Sequence, residues 1–439
     1  MKFYDRKKEL EILKALYEQS KENGRMTVLT GRRRVGKTLL ALEFTKSHKY
    51  IYLFVAKKSE PLLCREYIEE IKKVYDIPVI GEIHTFKGVF SLLLEIAQKE
   101  HFTLIIDEFQ EFYNINPAVY SEIQHLWDLN KNRCKLNLIF IGSIYSLVHK
   151  IFENSKEPLY QRADRVFHIR PFKIKTISHI LRDYDHGDLK TLFNFYLITG
   201  GVPRYIDLLV NNSIFSFSRM LDFLLEEYSP FLNEGKNLLI EEFGKEYGTY
   251  FSILELISAG KTSRNEIESI LERQVGGYLA RLENDYAIIS KHKPLNAKPN
   301  SRIQKYRIID NFLNFWFRFI YRHRSAVETG NFSYIKQVIN RDYNVYSGRI
   351  LESFFQQLFA DTLLYNRIGS YWEKGNLNEI DLVAINDMEK TIVMAEIKLN
   401  KSKIRLEVLK KKSEKLLNKY VGYRPQWLAL SLEDAEEYL

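Results

Sequence analysis

One octapeptide, GRRRVGKT at Gly31 to Thr38, restricts what this chain can fold into more than any other feature. It has the spacing GxxxxGK[ST] and falls between the apolar run MTVLT and the helical pattern TLLALEFTKS. A glycine-rich turn in that strand-to-helix setting wraps backbone N–H groups around phosphates, and the helix N-terminus adds positive potential. Gly31, Arg32, Arg33, Arg34, Val35 and Gly36 then form the cradle, Lys37 bridges the β- and γ-phosphates, and the Thr38 hydroxyl meets a magnesium ion. The loop calls for ATP with Mg2+ and for an α/β sheet behind it.

The first 210 residues carry the strands such a sheet needs. YIYLFVA, FTLIID, NLIFIG and RVFHIR are short and rich in β-branched or aromatic residues, and longer amphipathic segments separate them. That order reads as βαβ units around a parallel sheet covered by helices on both faces. From about Ser213 to Asn284 the apolar positions keep helical spacing and strand signals vanish. A basic stretch with two prolines, KHKPLNAKPNSRIQKYR, leads into the aromatic run Phe312 to Tyr321, and a further α/β pattern fills the rest of the chain. Boundaries near 210 and 340 give three units, 1–210, 211–340 and 341–439, as expected for 439 residues.

Composition matters here for what it excludes. With 45% hydrophobic and 28% charged residues, the chain has the balance of a globular protein. A net charge of +9 admits a polyanionic partner. Cys64 and Cys134 form no CxxC pair, which leaves neither a zinc knuckle nor a disulfide framework and fits a reducing cytoplasm. No run approaches the ~18 apolar residues of a membrane helix, so the expectation is a cytoplasmic protein without membrane contact.

Hydrolysis needs more than a phosphate cradle. FTLIIDEFQ ends an apolar strand with Asp107, placed to hold magnesium through water, and Glu108, placed to polarise the attacking water. An acidic pair ending any buried strand looks the same; the phosphate loop is what gives this one meaning. NLIFIGSIYSLV ends at Gly142 and Ser143, a side chain able to reach between water and γ-phosphate, or a plain strand-ending turn. PLYQRADRVFHIRPF offers Arg162 and Arg165, either of them an arginine finger for a neighbouring subunit in a homo-oligomer, or an ordinary surface arginine.

The middle of the chain has the rhythm of a winged helix-turn-helix: YFSILELISAG, NEIESIL and GGYLARLEND as helices, then the strand AIIS. Arg273 and Arg281 belong to or flank the third helix, which in that fold enters the DNA major groove. Between Ser290 and Ile308 stand Lys291, Lys293, Lys298, Arg302, Lys305 and Arg307 with no acid among them, which suits phosphate contacts. Protein-packing winged helices and solvated loops share this pattern. The aromatic run FLNFWFRFIY, at helical spacing, reads as core rather than a base-stacking platform.

NEIDLVAIN and TIVMAEIKLN read as adjacent strands carrying Asp381, Glu396 and Lys398, the last two on one face. Across the hairpin the acids can hold magnesium while Lys398 steadies water or a scissile phosphate, although an ordinary exposed hairpin has the same spacing. The tail KSKIRLEVLKKKSEKLLNK is a basic amphipathic helix, suited to a phosphate backbone or to solvent.

FYDRKKELEIL, GRRRVGKT, IIDEFQ, the Gly142–Ser143 pair, PLYQR and TGGVPRYI at 199–206 together resemble the archaeal-type ATPases of the AAA+ superfamily. KYRIIDNFLNFWFRFIY, NEIDLVAIN and MAEIKLNK look like the C-terminal domain of unknown function attached to them. The resemblance implies a P-loop AAA+ parallel sheet with a helical lid, a winged helix, and a C-terminal α/β domain similar to the PD-(D/E)XK nucleases. By position it makes Ser143 the sensor-1 candidate, Arg162 the likelier finger and Arg204 a candidate sensor-2 residue, where a helix-breaking turn fits equally. It also adds Glu352, in GRILESFFQQLF, to Asp381 and Glu396 as a metal-binding carboxylate, with Ile380 in place of the family's proline. The expected activity is ATP hydrolysis coupled to action on DNA, with metal-dependent cutting left open. The alternatives are an ATP-dependent signalling or scaffold switch whose C-terminal domain is an interaction module, and a chaperone-like machine acting on protein.

Overall fold

The computed structural model describes residues 1–76, 81–298, 301 and 303–439. The chain forms two compact units, Lys2–Pro171 and Phe172–Leu439, with Met1 grouped with the second.

In the first unit the five apolar runs become β1 (Arg25–Thr30), β2 (Tyr50–Phe54), β3 (Phe102–Asp107), β4 (Leu136–Gly142) and β5 (Arg165–His168). They form one sheet in the order β2-β3-β4-β1-β5, and every pairing is parallel. β3 and β4 are buried at every position, which their unbroken apolar sequence requires of strands covered on both faces. Successive residues point to opposite sides. Leu29, Ile105 and Ile139 pack with Leu13, Leu40 and Phe44 on one face, while Val28, Leu104 and Phe140 pack with Leu63, Phe90 and Trp127 on the other. The register aligns Thr30 with Gly142 and Asp107 with Ile141, so the phosphate loop, the acidic pair and Ser143 all leave the sheet at its carboxyl edge, where ligands of open α/β sheets bind.

The second unit begins with helices. Among the described residues no strand occurs between β5 and β6 (Ile289–His292), which pairs antiparallel with β7 (Lys305–Ile308). Three helices precede this ribbon: Tyr247–Ser258, Arg264–Leu271 and Gly276–Asn284. The middle one opens on a capping box between Ser263 and Glu266. The aromatic run is core, as its helical spacing implies: Phe312, Phe315, Trp316, Phe317 and Phe319 are all buried.

The helix Phe332–Asp361 runs unbroken across residue 340, so the two units expected to meet there share a helix. Behind it stands a sheet of β8 (Arg367–Tyr371), β9 (Ile380–Asn386), β10 (Thr391–Ile397) and β11 (Arg424–Leu430), in the order β11-β10-β9-β8. β9 and β10 are the expected hairpin; the helix Leu406–Leu417 crosses to β11, which lies parallel to β10. Ile380, Val383, Ile392, Met394, Leu409 and Leu416 form the core of this region. Among the described residues no helix is long and apolar enough to cross a membrane.

Candidate functional site

The phosphate loop depends on its glycines. Gly31 has φ +146°, and a Cβ there would lie 2.4 Å from the Ile169 carbonyl oxygen; Gly36 has φ +90° with open space around it. Such backbone is rarely open to L side chains. Lys37 starts the following helix and turns its ammonium onto the loop, donating to the carbonyls of Gly31 (2.8 Å) and Arg32 (2.9 Å). The Thr38 hydroxyl donates to Asp107 Oδ2 at 2.6 Å. The same oxygen accepts from Tyr52 at 2.9 Å, and Oδ1 accepts from the Glu108 N–H at 2.8 Å. Burial nevertheless holds the Asp107 carboxyl above its ordinary range. A hydroxyl beside a buried carboxylate, with few other protein ligands, is a donor set that fits magnesium, which keeps waters and phosphate oxygens for its remaining positions.

Glu108 follows with left-handed backbone, φ 54°. Ser143 Oγ donates to its Oε2 at 2.7 Å, and Gln110 Nε2 donates to the same oxygen. The carboxylate is therefore fixed through one oxygen by donors from two different segments. Arg33 Nε reaches Ser143 Oγ at 3.5 Å, which ties the phosphate loop to this cluster.

Of the two arginines expected in the finger and sensor roles, Arg162 lies away from the phosphate loop. Arg162 precedes β5, which runs parallel to β1, so it lies at the sheet edge opposite the phosphate loop; it pairs with Asp128 at 3.2 Å. Arg204 sits in the first turn of the helix Pro203–Asn211, in the second compact unit, and pairs with Asp207 at 3.3 Å.

A second polar cluster forms around the β9–β10 hairpin. Asp381 is buried and accepts from the Ile397 N–H (2.8 Å) and from Lys398 Nζ (3.3 Å). Lys398 also pairs with Glu396 at 3.1 Å, and the other oxygen of Glu396 meets Lys412 at 3.1 Å. Burial pulls the Lys398 ammonium down, but Asp381 and Glu396 hold it above the usual lysine range. Glu352 faces Arg307 at 3.6 Å; burial, and then the Asp381 charge, push its carboxyl up to about 7. A cavity of 610 Å³ is lined by His292, Arg307, Arg349, Glu352, Asp381 and Lys398, among others.

The expected metal set of Glu352, Asp381 and Glu396 is laid out here with its charges paired to cations. Among the described residues no group of three or more His, Cys, Asp or Glu side chains is placed to hold a metal ion. Arg307, Lys398 and Lys412 supply positive charge at Glu352, Asp381 and Glu396.

The basic stretch also differs from a free phosphate-binding face. Lys291 pairs with Glu283 at 2.8 Å, Lys305 with Glu379 at 2.8 Å and Arg307 with Glu352. Arg302 lies outside the described residues. Arg281 pairs with Glu246 at 3.1 Å, and Arg273 donates to Thr249 Oγ1 at 2.8 Å.

Comparison with known proteins finds two family matches along the chain. Residues 3–209 match an ATPase domain found predominantly in Archaea. The chain carries an archaeal-type ATPase domain. Residues 316–422 match a domain of archaeal and bacterial proteins whose function is unknown. An uncharacterized protein of Methanocaldococcus jannaschii is 29% identical over 405 residues, 90% of this chain and 87% of that one. Among solved structures, the Walker-type ATPase of Pyrococcus abyssi superposes with a TM-score of 0.53 at 20% identity, covering 72% of this chain and 96% of that one. The ORC2 protein of Aeropyrum pernix, in its ADPNP–ADP complexes, gives 0.51 at 13% identity over 75% and 95%. The fold is thus that of the Walker and ORC-type P-loop ATPases.

Three residues of the ATPase domain escaped the sequence reading. Arg6 is 8% exposed and donates to the Val35 carbonyl of the phosphate loop at 3.4 Å. In DRKKEL it looks like one more solvated cation, and only its position ahead of an amphipathic helix could have marked it. Tyr52 stands in a strand read simply as apolar, yet β2 neighbours β3 and brings its hydroxyl to Asp107. Gln110 is 1% exposed, and its burial is invisible in the polar context DEFQE.

Proposed function

We propose that the chain hydrolyses ATP with magnesium at Gly31–Thr38 and uses the nucleotide cycle to act on DNA through a winged helix in its second unit. The hydrogen-bonded series Thr38–Asp107 and Glu108–Ser143 at one sheet edge most strongly supports the hydrolytic part. A simple nucleotide sensor has no use for a carboxylate held in place at the same sheet edge as the phosphate loop.

When bound, magnesium supplies positive charge to the β- and γ-phosphates; Thr38 and Asp107 are the residues that would hold it. Lys37 releases its loop carbonyls to meet phosphate oxygens. Glu108 takes the proton of the attacking water, and Ser143 and Gln110 keep its carboxylate aimed; such a base contributes typically 10² to 10⁴ in rate. Arg162, at the opposite sheet edge, serves only in trans, on a neighbouring subunit's ATP.

For the second unit, the helices Tyr247–Ser258, Arg264–Leu271 and Gly276–Asn284 followed by the β6–β7 ribbon have the element order of a winged helix. Asp381, Glu396 and Lys398 form a nuclease-like constellation in which Lys398 pairs with both acids.

The second reading is an ATP-dependent switch whose C-terminal domain is an interaction module, and the internal pairing of Lys291, Lys305 and Arg307 favours it. Purified Glu108→Gln decides the hydrolytic part: nucleotide binding is retained and turnover falls at least a hundredfold. Undiminished turnover eliminates Glu108 as the base. Substrate gels run in parallel show whether DNA is cut.

A further inference from the structure

The ribbon β6–β7 is docked on the carboxylate-bearing sheet of its own compact unit. Between its strands, the Leu295 N–H donates to the Ser370 carbonyl of β8 at 2.9 Å, and the Leu295 side chain packs on the core of Tyr371, Ile380 and Val383. Arg367 donates to Asn296 at 3.1 Å. Along β7, Lys305 pairs with Glu379 and lies 4.7 Å over the Trp372 ring, and Arg307 faces Glu352. β8 is the outer strand of its sheet, and an outer strand displays backbone groups that need covering. The segment that covers it is the one whose cations look built for phosphates.

Two of those cations, Lys305 and Arg307, thus place their charge on acids of the C-terminal sheet. The acids and a phosphodiester backbone compete for the same groups. Glu379 is 42% exposed, so its bond to Lys305 is a solvent-screened pair of small net worth, whereas a polyanion gains from every cation it engages by releasing counterions. Arg307 and Glu352 also line the cavity that contains Asp381 and Lys398.

We propose that the ribbon and the C-terminal carboxylate sheet mask each other, and that DNA phosphates, by taking Lys305 and Arg307, free Glu379 and Glu352 and open the cavity at Asp381 and Lys398. This mutual masking rests on the DNA-contacting reading of the ribbon given above. It makes DNA binding and access to the Asp381 cluster one coupled event, in which either surface is exposed only when the other is.

Glu379→Gln tests it in the full-length protein, because the change removes the partner of Lys305 without altering the ribbon or Asp381, Glu396 and Lys398. Binding of a labelled duplex is measured across a salt series, with hydrogen exchange at the Leu295 amide in the free and DNA-saturated wild type. Wild type must break the Lys305–Glu379 pair to bind and the variant need not, so Glu379→Gln tightens binding up to about fivefold at an unchanged salt slope. The Leu295 amide, protected in the free protein, exchanges faster on saturation. Identical affinity in wild type and Glu379→Gln, with unchanged protection, overturns the masking while leaving DNA binding in place. Absence of duplex binding by either protein ends both the DNA reading and the masking that depends on it.

Discussion

Replacing Gly31 by alanine puts a methyl carbon 2.4 Å from the Ile169 carbonyl oxygen at a backbone φ of +146°. Neither problem relaxes cheaply. Ile169 is 3% exposed, and its N–H is bonded to the Thr30 carbonyl at 2.7 Å, so the obstructing peptide is clamped to the end of β1. A non-glycine residue in such a region costs about 1 to 3 kcal/mol by itself. Displacing a buried backbone carbonyl adds to that, so about 3 kcal/mol is a fair total, or more than roughly a hundredfold in affinity at 1.4 kcal/mol per decade. Gly36→Ala is the internal control: φ is +90°, but nothing lies within 4 Å of the added carbon. That change carries only the left-handed penalty of about 1 to 2 kcal/mol, roughly 5- to 30-fold. Titration of each variant with a fluorescent ATP analogue in magnesium, with circular dichroism to verify folding, measures both. Equal nucleotide affinity in Gly31→Ala and Gly36→Ala refutes the assignment of the Ile169 contact as the constraint on the loop.

Tyr52→Phe removes one of the hydrogen bonds to Asp107 Oδ2, and a bond to a charged group contributes about 1.5 to 3 kcal/mol; the magnesium concentration for half-maximal turnover should rise about tenfold, and an unchanged requirement eliminates a positioning role. Arg162→Ala and Glu108→Gln should each be nearly inactive alone yet recover turnover when mixed, because a mixed assembly joins an intact Glu108 to a neighbour's intact Arg162; failure to recover rules out action in trans. Burial and the nearby Asp381 charge push the Glu352 carboxyl from its ordinary 4.5 up to about 7 in the folded protein, so the folded state holds the proton more tightly. Its contribution to stability is fully present below about 4.5 and is lost as pH rises through about 7. Denaturant midpoints in chelator should therefore fall over that window for wild type relative to Glu352→Gln, and parallel curves contradict the assignment.

The sheet of the first unit was legible because each strand is a short β-branched or aromatic run bounded by polar turns, and because the phosphate loop fixed which strand came first. The hairpin β9–β10 was legible for the same reason, and so was the burial of Phe312 to Ile320 from its spacing. What the sequence hid are contacts between residues far apart in the chain. Arg307 and Glu352 are 45 positions apart by number, and Lys305 and Glu379 are 74 apart. A basic stretch without local acids looks free until the fold delivers acids from elsewhere. The same blindness applies to Glu396, whose partner Lys412 comes from the crossing helix, and to Tyr52, whose hydroxyl matters only because β2 lies beside β3. The unbroken helix through residue 340 was missed because no cap or breaker is needed where a helix simply continues between two packed regions.

ATP turnover by the full-length protein in magnesium, with and without duplex DNA across a salt series, bears most directly on the claim that this ATPase acts on DNA. Stimulation that fades steeply with salt and is absent in Glu108→Gln is the expected result. Turnover that proceeds at the same rate whatever DNA is added contradicts it and selects the switch.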